Sequence, residues 1–353
     1  MRTILPSFGI LIEEIDGMLA RPLVWPASRN REEAPMTQIS GFIAPTRRHG
    51  QLGVHSLDYV NLIVPSLAEA QLFYDSFGLS LRPQGGEIGL YTEGHPHRWA
   101  VLTEGARKKL GHISFGAFEG DLPQFRKCLQ EARVAELDAP PGFESNGLWF
   151  QDPDGTLIEI RVADKTSPNE KSAVANASVA AGIRGAPNRS GAPLIRPRRL
   201  AHALVFTSDV SKSIEFYSRV LGLRLSDRSG EGIAFMHGIH GSDHHLIAFA
   251  KSGAPGLHHL SWDVSSIHEV GLGAQQMADK GFARGWGLGR HVLGSNYFHY
   301  VRDPWGSYAE YSSDIDYIAA DQDWDGADHP AEDAFYVWGP TPPDDFAFNF
   351  EAV

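Results

Sequence analysis

Cysteine is almost absent from this sequence of 353 residues, since Cys128 is the only one. A single cysteine excludes disulfides within the chain and zinc sites built from cysteine, and it fits a reducing, cytoplasmic setting. Positive charge is also scarce: 31 Lys and Arg stand against 43 Asp and Glu, which gives a net charge of -12. This balance argues against a nucleic-acid partner, because phosphate binding needs a clustered basic surface. No apolar run approaches the roughly 18 residues of a membrane-spanning helix, so a membrane partner is not expected.

The remaining composition is typical of a globular protein, with 42% hydrophobic and 21% charged residues in a chain long enough for two domains. Residues 1–50 are predicted to form a flexible N-terminal arm. Acidic Glu13, Glu14 and Asp16 interrupt its short apolar stretches, so a cleavable signal peptide is not expected. Met36 stands just before the more regular part of the chain and is a candidate for the true start of translation.

Two stretches of the chain, 57–161 and 200–312, repeat one pattern. The first begins LDYVNLIVPSLAEAQLFYDSFGL and the second LAHALVFTSDVSKSIEFYSRVLGL. Each predicts a strand, a capped helix that ends at a glycine (Gly78 or Gly222) and further strands, in the order β-α-β-β-β. In the first copy, Ser66 and Glu69 have the spacing of a capping box.

The repeat predicts an α+β protein of two tandem modules. We place the first module at 51–162 and the second at 199–320. Between them, residues 163–198 are rich in Ala, Ser, Gly, Pro and Asn, which is typical of a flexible linker. Residues 321–353 are acidic, aromatic and rich in proline, and we expect an irregular C-terminal tail with parts packed on the domain.

Histidines are concentrated toward the second copy: 11 of the 16 lie at or after His202, and 10 of these fall within 200–312. Alignment of the copies places three residues of metal-ligand type at corresponding positions. In the second copy they are His202, His259 and Glu310, and in the first they are Tyr59, His112 and Glu159. The second copy therefore predicts a metal site, and the tyrosine leads us to expect none in the first.

Two imidazoles and one carboxylate on adjacent strands leave open coordination positions on one face of an octahedral ion. This facial triad is typical of non-haem Fe(II) enzymes, and Mn(II) has similar preferences. His258 precedes His259 directly, so the two side chains point to opposite faces of a strand and only one can face the ion. The alignment selects His259.

Residues 289–311, GRHVLGSNYFHYVRDPWGSYAEY, resemble the signature of type I extradiol ring-cleavage dioxygenases of the vicinal oxygen chelate superfamily. The resemblance spans roughly residues 57–317. It implies two tandem modules, each a pair of βαβββ units that form a curved mixed sheet around a cavity. It also implies Fe(II) on the triad, a catechol-type substrate, O2 as co-substrate and assembly as a homo-oligomer.

Three further positions match residues that the family keeps around its metal. His245, 14 residues before His259, corresponds to a histidine beside the O2 site. His291 and Tyr300, 19 and 10 residues before Glu310, correspond to a histidine and a tyrosine near the substrate oxygens. We interpret these three as catalytic residues that accept, donate or hold protons. The neighbouring histidines are expected to be exposed to solvent: His237, His240 and His244.

Other activities share the ligand pattern. A 4-hydroxyphenylpyruvate dioxygenase-like enzyme, a glyoxalase-like enzyme and a non-catalytic small-molecule binding protein are the alternatives. The tail lacks the periodicity of a gating helix, Tyr59 breaks the four-ligand scheme of glyoxalases, and a binding protein needs no intact triad. Leu204 and Phe235 stand where some dioxygenases carry Asn and Trp, and no added cationic group is evident, so an apolar-substituted catechol is favoured.

Overall fold

A computed structural model describes residues 45–175 and 178–352, and this part of the chain is one compact unit. The predicted N-terminal arm and the candidate start at Met36 fall on residues 1–50, of which only 45–50 are described. Each module is built around one mixed sheet, which confirms the predicted α+β class.

The first module forms a sheet of seven strands in the order β2-β3-β4-β1-β5-β7-β6. Its elements in chain order are β1 (Ser56–Val64), α1 (Leu67–Ser76), β2 (Ser80–Gln84), β3 (Glu87–Tyr91), β4 (Ala100–Glu104), β5 (Lys109–Ala117), α2 (Leu122–Ala132), β6 (Leu148–Gln151) and β7 (Leu157–Val162).

The second module forms a sheet of ten strands in the order β18-β9-β10-β12-β8-β13-β16-β15-β14-β19, and β11 pairs with β17 outside it. Its elements are β8 (Arg199–Thr207), α3 (Val210–Leu221), β9 (Arg224–Ser229), β10 (Ile233–His237), β11 (Ser242–Asp243), β12 (Ile247–Lys251), β13 (Gly256–Asp263), α4 (Ile267–Asp279), β14 (Gly285–His291), β15 (Tyr297–Arg302), β16 (Tyr308–Ser313), β17 (Tyr317–Ile318), β18 (Ala327–Asp328) and β19 (Tyr336–Trp338).

The second module contains the expected pair of βαβββ units, but the first differs from that expectation. Its second unit has only β6 and β7 after α2, and an isolated bridge between Leu137 and Trp149 lies where a further strand would run. Pro140 and Pro141 interrupt this segment. Proline has no N–H to donate to a strand ladder, which accounts for the missing strand.

The helices begin and end where the sequence predicts. Ser66 accepts a hydrogen bond from the backbone N–H of Glu69 at the start of α1, and Asp209 caps α3 in the same way through Lys212 N–H. Gly222 ends α3 with a positive φ of 72°, a conformation that a residue with a Cβ adopts only at a cost. Phe77 at the end of α1 stacks on Tyr311 of β16 with ring centroids 3.9 Å apart, so the core joins the two modules.

The two stretches outside the modules are mostly irregular. The described part of 163–198 contains only a short 3-10 helix, Arg189–Gly191, although Ile195 is buried in the core. The C-terminal stretch adds β18 and β19 to the two edges of the larger sheet. Within 45–175 and 178–352 there is no helix of the length and apolarity that crossing a membrane requires.

Candidate metal centre

The three predicted ligands lie on three adjacent strands near the middle of the larger sheet. His202 of β8 pairs with Ser261 of β13, and Ser261 pairs with Glu310 of β16. Residues in register across a sheet share a face, and alternate residues along one strand share it too. His259 stands two residues before Ser261, so the strand pairing itself brings His202, His259 and Glu310 to one face.

The ligand atoms are close enough for one ion. Nε2 of His202 lies 3.3 Å from Nε2 of His259 and 3.3 Å from Oε2 of Glu310, and the third separation is 3.6 Å. With bonds of about 2.1 Å, neighbouring ligands of an octahedral ion are about 3 Å apart and opposite ligands about 4.2 Å. All three separations are nearer to the first value, so the three atoms occupy one face and the opposite face is open.

Glu310 is fully buried, yet its Oε2 has no hydrogen-bond partner. Its Oε1 accepts a hydrogen bond from Asn296 Nδ2 at 3.2 Å. Burial would raise the pKa of this carboxyl, but the nearby rings of His202 and His291 together outweigh burial and the pKa is lowered. A buried, ionised oxygen without a partner is costly unless a cation compensates it. These residues therefore fit a divalent metal ion.

The corresponding carboxylate of the first module is satisfied without a cation. Glu159 accepts hydrogen bonds from Tyr59 Oη at 3.1 Å, from Ser114 Oγ at 2.6 Å and from Ser145 Oγ. The Tyr59 hydroxyl also lies 3.0 Å from Nε2 of His112. The phenol thus joins the histidine and the glutamate that a metal would otherwise join. That this module holds no metal stays a prediction.

His258 orients His259 from within the same cavity, because the pairing of β13 with β8 is irregular at His258 and both rings line the cavity. His258 Nε2 lies 2.8 Å from the backbone oxygen of Phe346, and its Nδ1 lies 2.7 Å from Nδ1 of His259. Burial lowers the pKa of His258 to about 4 and that of His259 well below its ordinary value, so both rings are neutral near pH 7. His258 must donate through Nε2 to the carbonyl, and its Nδ1 then accepts from His259. This leaves a lone pair on Nε2 of His259, the atom that faces the other ligands.

The three predicted catalytic residues lie beside the triad. The His245 ring centroid is 4.0 Å from that of His202. Tyr300 pairs with Glu310 across β15 and β16, and its hydroxyl lies 2.9 Å from Nε2 of His291. Nδ1 of His291 lies 2.9 Å from the backbone oxygen of Phe335, so the histidine donates there and accepts from the tyrosine.

The triad forms the polar end of a cavity of about 370 Å³ whose other walls are apolar. No lysine or arginine is among the described residues that line it. The apolar walls come from β8, β10, β12, the loop between β14 and β15, and the C-terminal stretch, and consist of Leu204, Phe206, Ile233, Phe235, Ala250, Leu293, Ala331, Ala334, Phe335, Phe346 and Ala347. Such a cavity suits a small molecule with one chelating end and one apolar end.

The prediction that the neighbouring histidines are exposed to solvent is wrong. His237, His240 and His244 are at most 5% exposed. His244 is covered by the C-terminal stretch, where the Trp324 ring lies 5.4 Å away, and its Nε2 lies 2.8 Å from Asp227 Oδ2. Sequence reasoning also missed Asp227, which precedes the histidine-rich segment on β9 and carries no motif.

Known proteins are similar to this chain in sequence and in fold. The family model described as the Glyoxalase/Bleomycin resistance protein/Dioxygenase superfamily matches residues 199–311. The chain is 47% identical over 319 residues to metapyrocatechase 2 of Cupriavidus necator, a match that covers 90% of this chain and 98% of that protein.

Two solved structures are similar in fold. An extradiol ring-cleaving dioxygenase from B. fuscum gives a TM-score of 0.68 at 21% identity and covers 86% of this chain and 83% of its own. A Mn(II)-bound glyoxalase from Novosphingobium aromaticivorans gives a TM-score of 0.67 at 25% identity, with 83% and 93% covered.

Fold and site together define an enzyme of the vicinal oxygen chelate superfamily. The 47% identity to a metapyrocatechase extends over nearly the full length of both proteins, and it identifies a narrower group within this superfamily. The chain belongs to the type I extradiol ring-cleavage dioxygenases, which confirms the family and the kind of reaction that the sequence resemblance implied.

Proposed function

We propose that this enzyme holds Fe(II), or Mn(II), on His202, His259 and Glu310 and cleaves a catechol that carries an apolar substituent. The convergence of three ligand atoms at 3.3–3.6 Å, with Glu310 Oε2 otherwise unpartnered, is the observation that carries the proposal. In this reaction the ring C–C bond beside the diol breaks and both atoms of O2 enter the product.

A bound divalent ion supplies Lewis acidity toward the two catechol oxygens and the one-electron chemistry that O2 needs. The side chains around it manage protons. His245, kept neutral by burial, takes a proton from a catechol hydroxyl and returns it to a product oxygen. The Tyr300 hydroxyl, whose pKa burial and Glu310 raise well above its ordinary value, stays protonated and is a hydrogen-bond donor.

The cavity walls set the class of substituent. A carboxylate on the substrate side chain would be buried among Leu204, Phe235 and Phe335 with no cation to pair with it. Such a burial costs several kcal/mol, whereas an alkyl group gains about 0.8 kcal/mol for each buried CH2. We therefore expect alkylcatechols to be better substrates than catechols with an acidic side chain.

The test is to purify the protein without oxygen, measure its metal, and follow O2 uptake and yellow ring-fission product with 4-methylcatechol and 3,4-dihydroxyphenylacetate. We expect about one iron or manganese per chain and a kcat/KM at least about 100-fold higher for the methyl compound. His202→Ala and His259→Ala are expected to lose both metal and turnover, with His112→Ala in the first module as the matched control.

Metal-loaded protein that consumes no O2 with any catechol would overturn the reaction. A preference for the acidic substrate would overturn the substituent class alone. Full metal retention by His202→Ala or His259→Ala would overturn the ligand set.

A further inference from the structure

A chain of three buried side chains leads away from the cavity behind His245. Nδ1 of His245 lies 3.1 Å from Nδ1 of His244, and Nε2 of His244 lies 2.8 Å from Oδ2 of Asp227. The three residues are 3%, 0% and 6% exposed. None of them is a ligand of the triad, and the proposed chemistry uses only the first.

The C-terminal stretch holds the outer end of this chain. Trp324 Nε1 donates to Oδ2 of Asp227 at 3.2 Å, Ala327 N–H donates to Oδ1 at 3.0 Å, and His329 Nε2 lies 2.7 Å from Oδ1. Burial would raise the pKa of Asp227, but hydrogen bonds from His244, His329 and Ala327 outweigh it and lower the pKa to about 2. Asp227 is therefore an ionised carboxylate that can only accept hydrogen bonds.

This carboxylate decides which nitrogens of the two histidines carry hydrogen. Because Asp227 can only accept, Nε2 of His244 must donate to it. When His244 carries this one N–H, its Nδ1 is an acceptor. Nδ1 of His245 must then be the donor between the two rings. The hydrogen of His245 is thereby fixed on Nδ1, and the lone pair is left on Nε2, the nitrogen that His244 does not engage.

We propose that Asp227 and His244 are positioning residues that hold His245 in its Nδ1–H form, with the Nε2 lone pair available to a catechol hydroxyl. The proposal rests on the proposed function of the site. In the step it serves, the O–H bond of the catechol breaks, the electron pair stays on oxygen and an Nε2–H bond forms. The same proton later leaves Nε2 for a product oxygen, so the enzyme returns to its starting form.

The first test reads the wild-type ring directly. Full-length protein labelled with 15N at histidine and loaded with zinc, which avoids paramagnetic broadening, gives the protonation of each ring nitrogen by NMR. The spectrum of His245→Phe assigns the His245 signals. We expect hydrogen on Nδ1 and none on Nε2 of His245 at pH 7. The reverse pattern would overturn the proposal. This measurement does not depend on any activity of the enzyme.

The second test compares Asp227→Asn with Asp328→Asn, a neighbouring exposed carboxylate that does not contact His244. Both variants are loaded with Fe(II) without oxygen and mixed with 4-nitrocatechol, whose absorbance reports its ionisation. We expect Asp227→Asn to keep its metal and leave a larger share of the bound chromophore protonated. With 4-methylcatechol its kcat is expected to fall about 10- to 100-fold with little change in KM. Asp328→Asn should match the wild type in every readout.

The two outcomes that contradict the idea are distinct. If Asp227→Asn is folded and matches Asp328→Asn in chromophore ionisation and kcat, Asp227 and His244 have no positioning role. If the metal-loaded wild type cleaves no catechol, the proposed function fails, while the NMR result still decides the tautomer of His245.

Discussion

Glu310 and Glu159 offer a sharp test, because they occupy corresponding strand positions in the two modules and are both fully buried. Their surroundings differ. Glu159 accepts hydrogen bonds from three side-chain hydroxyls, whereas Glu310 accepts one hydrogen bond, and its Oε2 accepts none. The same change, Glu to Gln, removes a carboxylate and little volume from each site. Its effects on stability and on metal content therefore distinguish a structural carboxylate from a metal ligand.

We expect Glu159→Gln to lower stability without affecting the metal, and Glu310→Gln to affect mainly metal binding. In Glu159→Gln an amide nitrogen replaces an acceptor among hydroxyl donors, and the free energy of unfolding is expected to fall by about 2–4 kcal/mol, with metal content unchanged. In metal-free Glu310→Gln the amide oxygen can still accept from Asn296, so stability should fall by less than about 1 kcal/mol. An ion at 100 times its Kd stabilises the wild type by about 2.7 kcal/mol, and a 100-fold weaker site leaves about 0.4 kcal/mol.

The assay is denaturant unfolding of both variants and the wild type, with and without added Mn(II), together with elemental analysis of the purified proteins. Glu310→Gln should lose most of the metal-dependent stabilisation, and Glu159→Gln should keep all of it on a lower baseline. The reasoning is refuted if Glu310→Gln keeps the full stabilisation by metal, or if Glu159→Gln loses it.

Three further outcomes are expected. Tyr59→Phe should lower the free energy of unfolding by about 1–3 kcal/mol without changing metal content, as denaturation and elemental analysis would reveal. His245→Phe should retain metal but lower kcat about 10²- to 10⁴-fold in an O2-uptake assay; normal turnover would remove its assigned role. Burial and nearby Lys165 lower the pKa of His55 to about 3, so the unfolded chain binds more protons than the folded one between pH 6.5 and 3. Stability should therefore fall as the pH drops below 6.5, by up to about 1.4 kcal/mol per pH unit from this group, and His55→Gln should reduce that slope in unfolding titrations.

The sequence predicts the triad because each signal is local. A strand period of two fixes which residues share a face, and the repeat supplies a second copy against which each position can be compared. In this way the alignment separated His259 from His258, and the structure brings His259 to His202 and Glu310. His258 in turn forms a hydrogen bond to the backbone oxygen of Phe346 and orients His259.

The supporting contacts are not visible in the sequence because they use the backbone or depend on distant pairing. Phe335 and Phe346 each offer a backbone oxygen to a histidine of the site, and any residue type could do so. Asp227 contacts both His244 and the backbone N–H of Ala327 in the C-terminal stretch, and these three residues are far apart in the sequence. For the same reason His244 was expected to be exposed: the segment that buries it lies about 80 residues further along the chain and has no periodicity of its own.

The two modules show what a buried carboxylate requires on this fold. In each copy a glutamate of β7 or β16 lies near a histidine of the neighbouring strand, and the burial of its oxygens must be compensated by hydrogen-bond donors or a cation. In the first copy the Tyr59 hydroxyl and two serine hydroxyls provide that compensation, and the phenol fills the space between Glu159 and His112. In the second copy His202 stands at the tyrosine position, and Glu310 Oε2 has no hydrogen-bond partner. The residue type at this one strand position therefore distinguishes a self-satisfied hydrogen-bond cluster from one that leaves a buried carboxylate oxygen unpaired.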